Sequence, residues 1–353
     1  MAREFHEQAF YNKRDRESMG DGFVREYLRD YWDWFRDNLK DAPKVPGDQW
    51  MTCLSELGLK ETRAVAKRGI GAYYRSTGLF PDFSQPRRFT EMMLLNSLIS
   101  PMPRLNAADK LNVGHYIPEH LRERIQPCPV EKVFENQAEF DLSSVPEGTY
   151  FLKTNHGSSQ NIRCDLSGTL DDETSAKIDE KLPKWFDEPY GTASSQWWYR
   201  LIDRKVFLER SIARAEDEIV PDFRFHCING TAALLQVDVG LGTSQRNNAI
   251  YDKDLNYIAK PFLRPNRAEV PLPAVTQEAR DIAQEISKPF PYIRVDIYVR
   301  GDDLFLGELT FLPNAGRRPV RSAYIDNYLC SFWDPMPTVK RVAKVPATAS
   351  KAA

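Results

Sequence analysis

Apolar residues recur at helical spacing early in the chain. In GFVREYLRDYWDWF, Phe23, Tyr27, Tyr31 and Trp34 fall on one stripe, which predicts an amphipathic helix packing its aromatic face against its own domain rather than offering a ligand platform. Proline and glycine punctuate TGLFPDFSQP, and the helical pattern resumes in FTEMMLLNSLI, with Ser84 or Thr90 near its start. From Gly148 the pattern changes to strands. YFLKT, KVFLER, DFRFHCI, AALLQVDV, IRVDIYV and LFLGELTF are rich in β-branched and aromatic residues, while ETSAKIDEKLPKWF and TQEARDIAQEIS between them keep helical periodicity. The body therefore reads as α+β, built on antiparallel pairs.

The final hairpin carries the most chemistry. IRVDIYVRGDDLFLGELTF turns at RGDD, and a turn centred on Asp302 sets Asp296 opposite Glu308 and Arg294 opposite Thr310. Side chains two apart on a strand share a face, so all four project together. Two carboxylates, a guanidinium and a hydroxyl suit a magnesium triphosphate, since magnesium takes hard oxygen ligands and keeps waters and phosphate oxygens among them. The plain alternative is a cross-strand salt-bridge network on a solvated face.

Two further elements bear on that choice. In YFLKTNHGSSQN a strand delivers Lys153 and breaks into a small polar loop from Asn155 to Ser159, whose N–H groups and hydroxyls can cradle phosphate oxygens. KVFLERSI ends its strand on Glu209, a carboxylate able to accept from an adenine amine or a ribose hydroxyl. Each alone reads equally as a turn or an exposed strand end.

Composition narrows the class. Lys+Arg 48 nearly balances Asp+Glu 50 in 353 residues, so no global attraction for nucleic acid exists. Five scattered cysteines without a CxxC pair fit buried thiols in a reducing compartment. The N-terminus lacks an apolar signal core, and the longest apolar stretch, near Met92 to Ile99, is too short for a bilayer, which predicts a cytoplasmic protein with no stable membrane insertion. Monomer and homodimer both stay open.

In order, these pieces resemble the ATP-grasp superfamily. FLKTNHGSSQ looks like its lysine strand and flexible loop, implying that Lys153, His156, Gly157, Ser158 and Ser159 hold the triphosphate of ATP. AADKLNV implies a second phosphate-contacting lysine, Lys110. KVFLERSI looks like the hinge between lobes, implying Glu209 at adenine or ribose and the backbone from Arg210 to Ile212 along the purine. IRVDIYV and LGELTFLPNAG look like the closing metal motifs, implying Arg294 as a catalytic residue and Asp296 and Glu308 as Mg2+ ligands. The asparagine common two residues after the metal glutamate is here Thr310, so Thr310 or Asn314 would complete the metal set.

The phrases FLKTNHGSS, WWYRLIDRKVFLE, DFRFHCINGTA, RVDIYV and GELTFLPNAG together are similar to the TupA-like group, over about residues 76 to 332. DFRFHCING also resembles a strand of glutamate-adding ligases, which would bring Arg224, and similarly Arg246, to the phosphates or to the acceptor carboxylate.

The resemblance implies two α+β lobes gripping ATP. The expected division is a helical extension at 1–75, the N-terminal and first lobe at 76–208, the second lobe at 209–335 and a disordered tail at 336–353. It implies an ADP-forming ligase joining a small-molecule or glycan carboxylate to an amine, in bacterial surface polysaccharide synthesis. A kinase phosphorylating a sugar or another hydroxyl would use the same nucleotide site, and a non-catalytic glycan-binding protein would use Trp197, Trp198 and Tyr199 for stacking.

Overall fold

The computed structural model describes residues 50–333, apart from 53, 80, 82–85, 101, 192–193, 216–217 and 241–245. The Phe23 to Trp34 stripe, Cys53, Ser84 and the tail expected from 336 lie outside these residues. Strands β1 (Trp50–Thr52) and β2 (Met102–Pro103) pair beside helices α1 (Leu59–Thr77) and α2 (Phe89–Ile99). Thr90 lies inside α2. The Glu91 carboxylate secures the start instead, accepting from the N–H groups of Arg87 (2.9 Å) and Arg88 (3.2 Å).

Next come β3 (Ile125–Pro127), β4 (Val130–Phe134), β5 (Thr149–Thr154), β6 (Asn161–Asp165), α3 (Asp172–Asp187) and β7 (Val206–Arg210). They are followed by β8 (Asp222–Ile228), β9 (Thr231–Val239), β10 (Asn247–Tyr251), α4 (Thr276–Ser287), β11 (Tyr292–Arg300), β12 (Asp303–Thr310) and α5 (Ala323–Cys330). One antiparallel sheet has the order β4-β7-β5-β6, and a six-stranded sheet runs β10-β9-β8-β11-β12-β3, antiparallel except for its β3 edge.

Each sheet packs one face on an apolar core. In β5, Tyr150, Leu152 and Thr154 point inward while Phe151 and Lys153 do not, as period-two alternation requires. Tyr150 and Leu152 join Val206, Leu208 and residues of α3 in a small core of their own. On the larger sheet, Phe223, Val237, Val295 and Ile297 belong to one face, and helix α4 packs against β8, β9 and β11 through Ala279, Ile282, Ala283 and Ile286. Those four positions recur at i, i+3, i+4 and i+7, the spacing of a single helical stripe.

The cores do not follow chain order. α1, α2, β3 and the Trp197–Leu201 turn pack into the large core, although they precede the strands of that lobe. The expected boundary at 209 therefore does not separate the two lobes in space. Trp197 and Trp198 are fully buried there: Trp197 Nε1 donates to Ser97 O at 2.8 Å, and Trp198 meets Phe311 at 5.7 Å between ring centroids. Burial removes them as a stacking platform. Cys128, Cys164 and Cys227 are buried free thiols, and among the described residues no helix is long and apolar enough to cross a membrane.

Candidate active site

The polar face of the larger sheet forms a cleft floor. Arg294 pairs with Thr310 and Asp296 with Glu308, but the turn is not the one the spacing suggests. Arg300 pairs with Asp303, so the turn is the two residues Gly301 and Asp302, and Gly307 is the extra residue of a bulge that restores the register beyond it. A side chain at Gly307 would be impossible without movement, because its Cβ would lie 2.6 Å from the Tyr298 ring. Across the sheet, Arg224 stands opposite both Asp296 and Gln236, and Asp222 opposite Asp238. Directly paired residues share a face.

This face is a buried charge lattice, not a solvated one. Arg294 grips both oxygens of Asp296, with Nε donating to Oδ1 at 2.6 Å, and reaches the Thr310 hydroxyl at 3.1 Å. Arg224 joins Asp222 (2.6 Å) to Asp238 (2.8 Å), and Arg246 donates to Asp238 Oδ1 at 2.9 Å. Burial pushes the Asp296 carboxyl up to about 7, against the pull of Arg294 and with a further push from Asp222. Burial also pushes Glu308 upward, but Lys110, Arg294, Arg224 and Lys153 outweigh it and hold that carboxyl below its usual range. Among the described residues, the Glu308 carboxylate has neither a hydrogen bond nor an ion pair.

The smaller sheet supplies the facing wall. Phe151 pairs with Glu209 and Lys153 with Phe207, so all four share one face of this sheet, and Lys153 Nζ forms an ion pair with Glu209. Lys153 lines the cleft, whereas Glu209 and Phe207 line a neighbouring pocket with Lys110 and Cys128. Lys110 reaches over to donate to Gly157 O and is tied at its own N–H to Asn155 O at 3.1 Å. Burial lowers its ammonium, partly opposed by Glu308. The loop leaves no room at Gly157, where a Cβ would lie 1.7 Å from Gln160 Oε1, and Ser159 takes a left-handed φ of 61°. Tyr190 meets Tyr199 edge-on at 5.0 Å.

The cleft encloses about 1020 Å3 and is lined by Lys110, Lys153, Gly157, Ser158, Ser159, Arg224, Arg246, Arg294, Asp296, Glu308, Thr310 and Asn314. His156 is not on this lining. Its ring is fully buried, with Nδ1 3.0 Å from Asn155 Oδ1, and burial together with Lys110 and Arg204 brings it down to about 4. The expected His156 contact with a triphosphate therefore gives way to a neutral ring packed beneath the loop. Glu209, Arg210 and Ile212 also lie off this lining. The Arg210 N–H donates to Pro129 O at 2.9 Å and its guanidinium sits over the Tyr150 ring. Ile212 O accepts from Arg300 Nη1, while its N–H has no partner among the described residues.

The profile of the TupA-like ATPgrasp family matches residues 90–332. The chain belongs to the TupA-like ATP-grasp family. Its fold is accordingly the ATP-grasp fold, with the two sheets facing each other across the cleft. No curated protein matches it. Similar solved structures include the D-alanine--D-alanine ligase of Bacillus anthracis complexed with ATP, at 13% identity over 71% of this chain and 70% of that one, with TM-score 0.39. The corresponding Helicobacter pylori ligase is 11% identical over 68% and 61%, TM-score 0.35. The ATP-grasp ligase PsnB complexed with a minimal precursor is 13% identical over 71% and 68%, TM-score 0.33.

Several lining residues of this TupA-like chain escape a motif search. Asp222 alternates with Arg224 and His226 on β8, and Gln236 with Asp238 on β9, so period-two polarity could have found them. Tyr298 continues the alternation of Arg294 and Asp296. Tyr190, Arg264 and Arg318 sit on loops, where no periodicity marks them.

Proposed function

We propose that this protein is an ADP-forming carboxylate–amine ligase acting in the cytoplasm on a precursor of a bacterial surface polysaccharide. The observation that carries the reading is that Asp296, Glu308 and Arg294 on one sheet share the cleft lining with Lys153 and the Gly157–Ser159 loop of the other and with Lys110 from a separate turn. Lys153 and Lys110 would neutralise the phosphates of ATP while the loop N–H groups hold their oxygens. Glu209 would take adenine or ribose, with the backbone from Arg210 to Ile212 along the purine.

Magnesium fits this donor set in a limited way. Among the described residues, no group of three His, Cys, Asp or Glu side chains converges to hold a metal. Glu308 offers an unpartnered carboxylate and Asp296 a second one, so the ion would share oxygens from both with phosphate, and Thr310 or Asn314 would stand nearby. Once bound, it supplies charge compensation for phosphoryl transfer. The substrate carboxylate oxygen would attack the γ-phosphorus, releasing ADP and leaving an acyl phosphate. An amine would then displace inorganic phosphate to form the amide. Arg294, Arg224 and Arg246 would hold negative charge in place through both steps.

Hydroxylamine tests the reaction class. Incubated with ATP, magnesium and a panel of uronic and amino acids, a ligase accumulates a hydroxamate from its own carboxylate substrate. ATP consumption that yields a phosphorylated hydroxyl and no hydroxamate would make the protein a kinase instead.

A further inference from the structure

Charge in the cleft is unevenly matched. Eight lysines and arginines line it against four carboxylates, Glu188, Asp222, Asp296 and Glu308. The lattice on the floor engages Arg224, Arg246 and Arg294, and Glu209 answers Lys153. Arg264 and Arg318 are different. Both are half-buried on the cleft lining, and neither has an ion pair or side-chain hydrogen bond among the described residues.

They sit on two loops that the fold joins. Arg264 follows Phe262 and Leu263, which are anchored in the large core, and Arg321 N donates to Phe262 O at 3.0 Å, holding the segment after Gly316 beside it. Arg264 is thereby kept within electrostatic reach of Arg246 and Arg318; burial first, and then these two charges, lower its guanidinium, and Asp238 only partly offsets them. Solubility would place such arginines outward, each in open solvent. Half-burying like charges beside one another costs free energy unless an anion completes the site.

We propose that Arg264 and Arg318, backed by Arg246, form an anion subsite that receives a second negatively charged group of the acceptor, a carboxylate or a phosphate, in addition to the carboxylate that reacts. The inference rests on the ligase reading and specifies its substrate class: an acceptor carrying at least two anionic groups. The cleft volume, at the upper end of the range for a single small ligand, accommodates both the nucleotide and such a group.

The test uses the full chain saturated with Mg-AMPPNP, so that the triphosphate positions are filled. Isothermal titration then compares tricarballylate, which offers several carboxylates, and 3-phosphoglycerate, which offers a carboxylate and a phosphate, with acetate. At least one of the two polyanions should bind more tightly than acetate, and which one does so identifies the second group. Arg264→Gln with Arg318→Gln should weaken that binding by ~10-fold or more, the loss of charge-assisted hydrogen bonds, while Mg-AMPPNP affinity and melting temperature stay unchanged. Should the double variant misfold, either single substitution is expected to give a smaller loss in the same direction. Polyanions that bind no better than acetate, or that bind the variants as they bind wild type, overturn the subsite. Failure of Mg-AMPPNP to bind wild type would instead sink the nucleotide site on which both readings stand.

Discussion

The two faces of the six-stranded sheet use the same backbone for opposite purposes. On β11, Val295, Ile297 and Val299 serve the large core, while Arg294, Asp296 and Tyr298 serve the cleft, alternating residue by residue. The apolar face gains from removing area from water, about 25 cal/mol per Å2. The charged face gains little net stability from its ion pairs, because desolvation cancels much of their attraction. The contrast teaches that adjacent residues on one strand answer to different measurements: unfolding free energy for one, ligand binding for the next.

The strongest way to break that contrast is Ile297→Ala. Ile297 is fully buried, so its truncation should lower the unfolding free energy by about 2–5 kcal/mol in urea titrations. Nucleotide affinity of the protein that remains folded should not change, and a large loss of affinity would mean that the faces are coupled. From the opposite side, Lys153→Met combined with Glu209→Gln removes the facing ion pair without leaving a charge unpaired. Turnover should fall by roughly 10²–10³ with little change in unfolding free energy. A collapse of stability with activity intact would make the pair structural.

His156 sharpens the distinction by pH. Its folded value is about 4, against roughly 6.5 for an unfolded imidazole. Between these values the unfolded chain holds a proton that the folded chain does not, so stability is complete above about pH 6.5 and falls as the pH drops toward 4. His156→Gln should flatten that segment of the melting profile by about 2–3 kcal/mol and leave ATP affinity at neutral pH nearly unchanged. A neutral-pH affinity loss as large as that of the Lys153 and Glu209 double variant would return His156 to the binding surface. The smallest effect is expected of Gly307→Ala, whose methyl group must displace the Tyr298 ring. The cost is about 1–3 kcal/mol, seen as weaker nucleotide binding more than as a lower melting temperature.

Strands were the most legible part of the sequence, because a half-buried strand writes its burial in alternate residues. That is why Lys153, Asp296 and Glu308 could be placed on strand faces from pattern alone. The hairpin shows the limit. Its pairs follow from a turn centre one half-residue away from the real one, and the Gly307 bulge compensates, an insertion that alternation cannot register. Lobe membership was illegible for a different reason. Trp197, Trp198 and α2 join the large core through contacts distant in sequence, such as Trp197 to Ser97, and no local period encodes these. His156 was expected at the triphosphate from the resemblance of FLKTNHGSSQ to the family loop, which fixes the position of the residue but not the direction of its ring, and Asn155 holds that ring in a buried place. Arg264 and Arg318 carry no pattern at all until the loops meet.

The central claim is that Asp296 and Glu308 bind magnesium only together with ATP, and melting curves test it most directly. For wild type, Mg-ATP should raise the melting temperature by an amount that grows with ligand concentration, as binding to the folded state alone requires, whereas magnesium without nucleotide should not. Asp296→Asn with Glu308→Gln should abolish the Mg-ATP increment while the variant still unfolds cooperatively. An increment equal to that of wild type in the double variant would contradict the assignment.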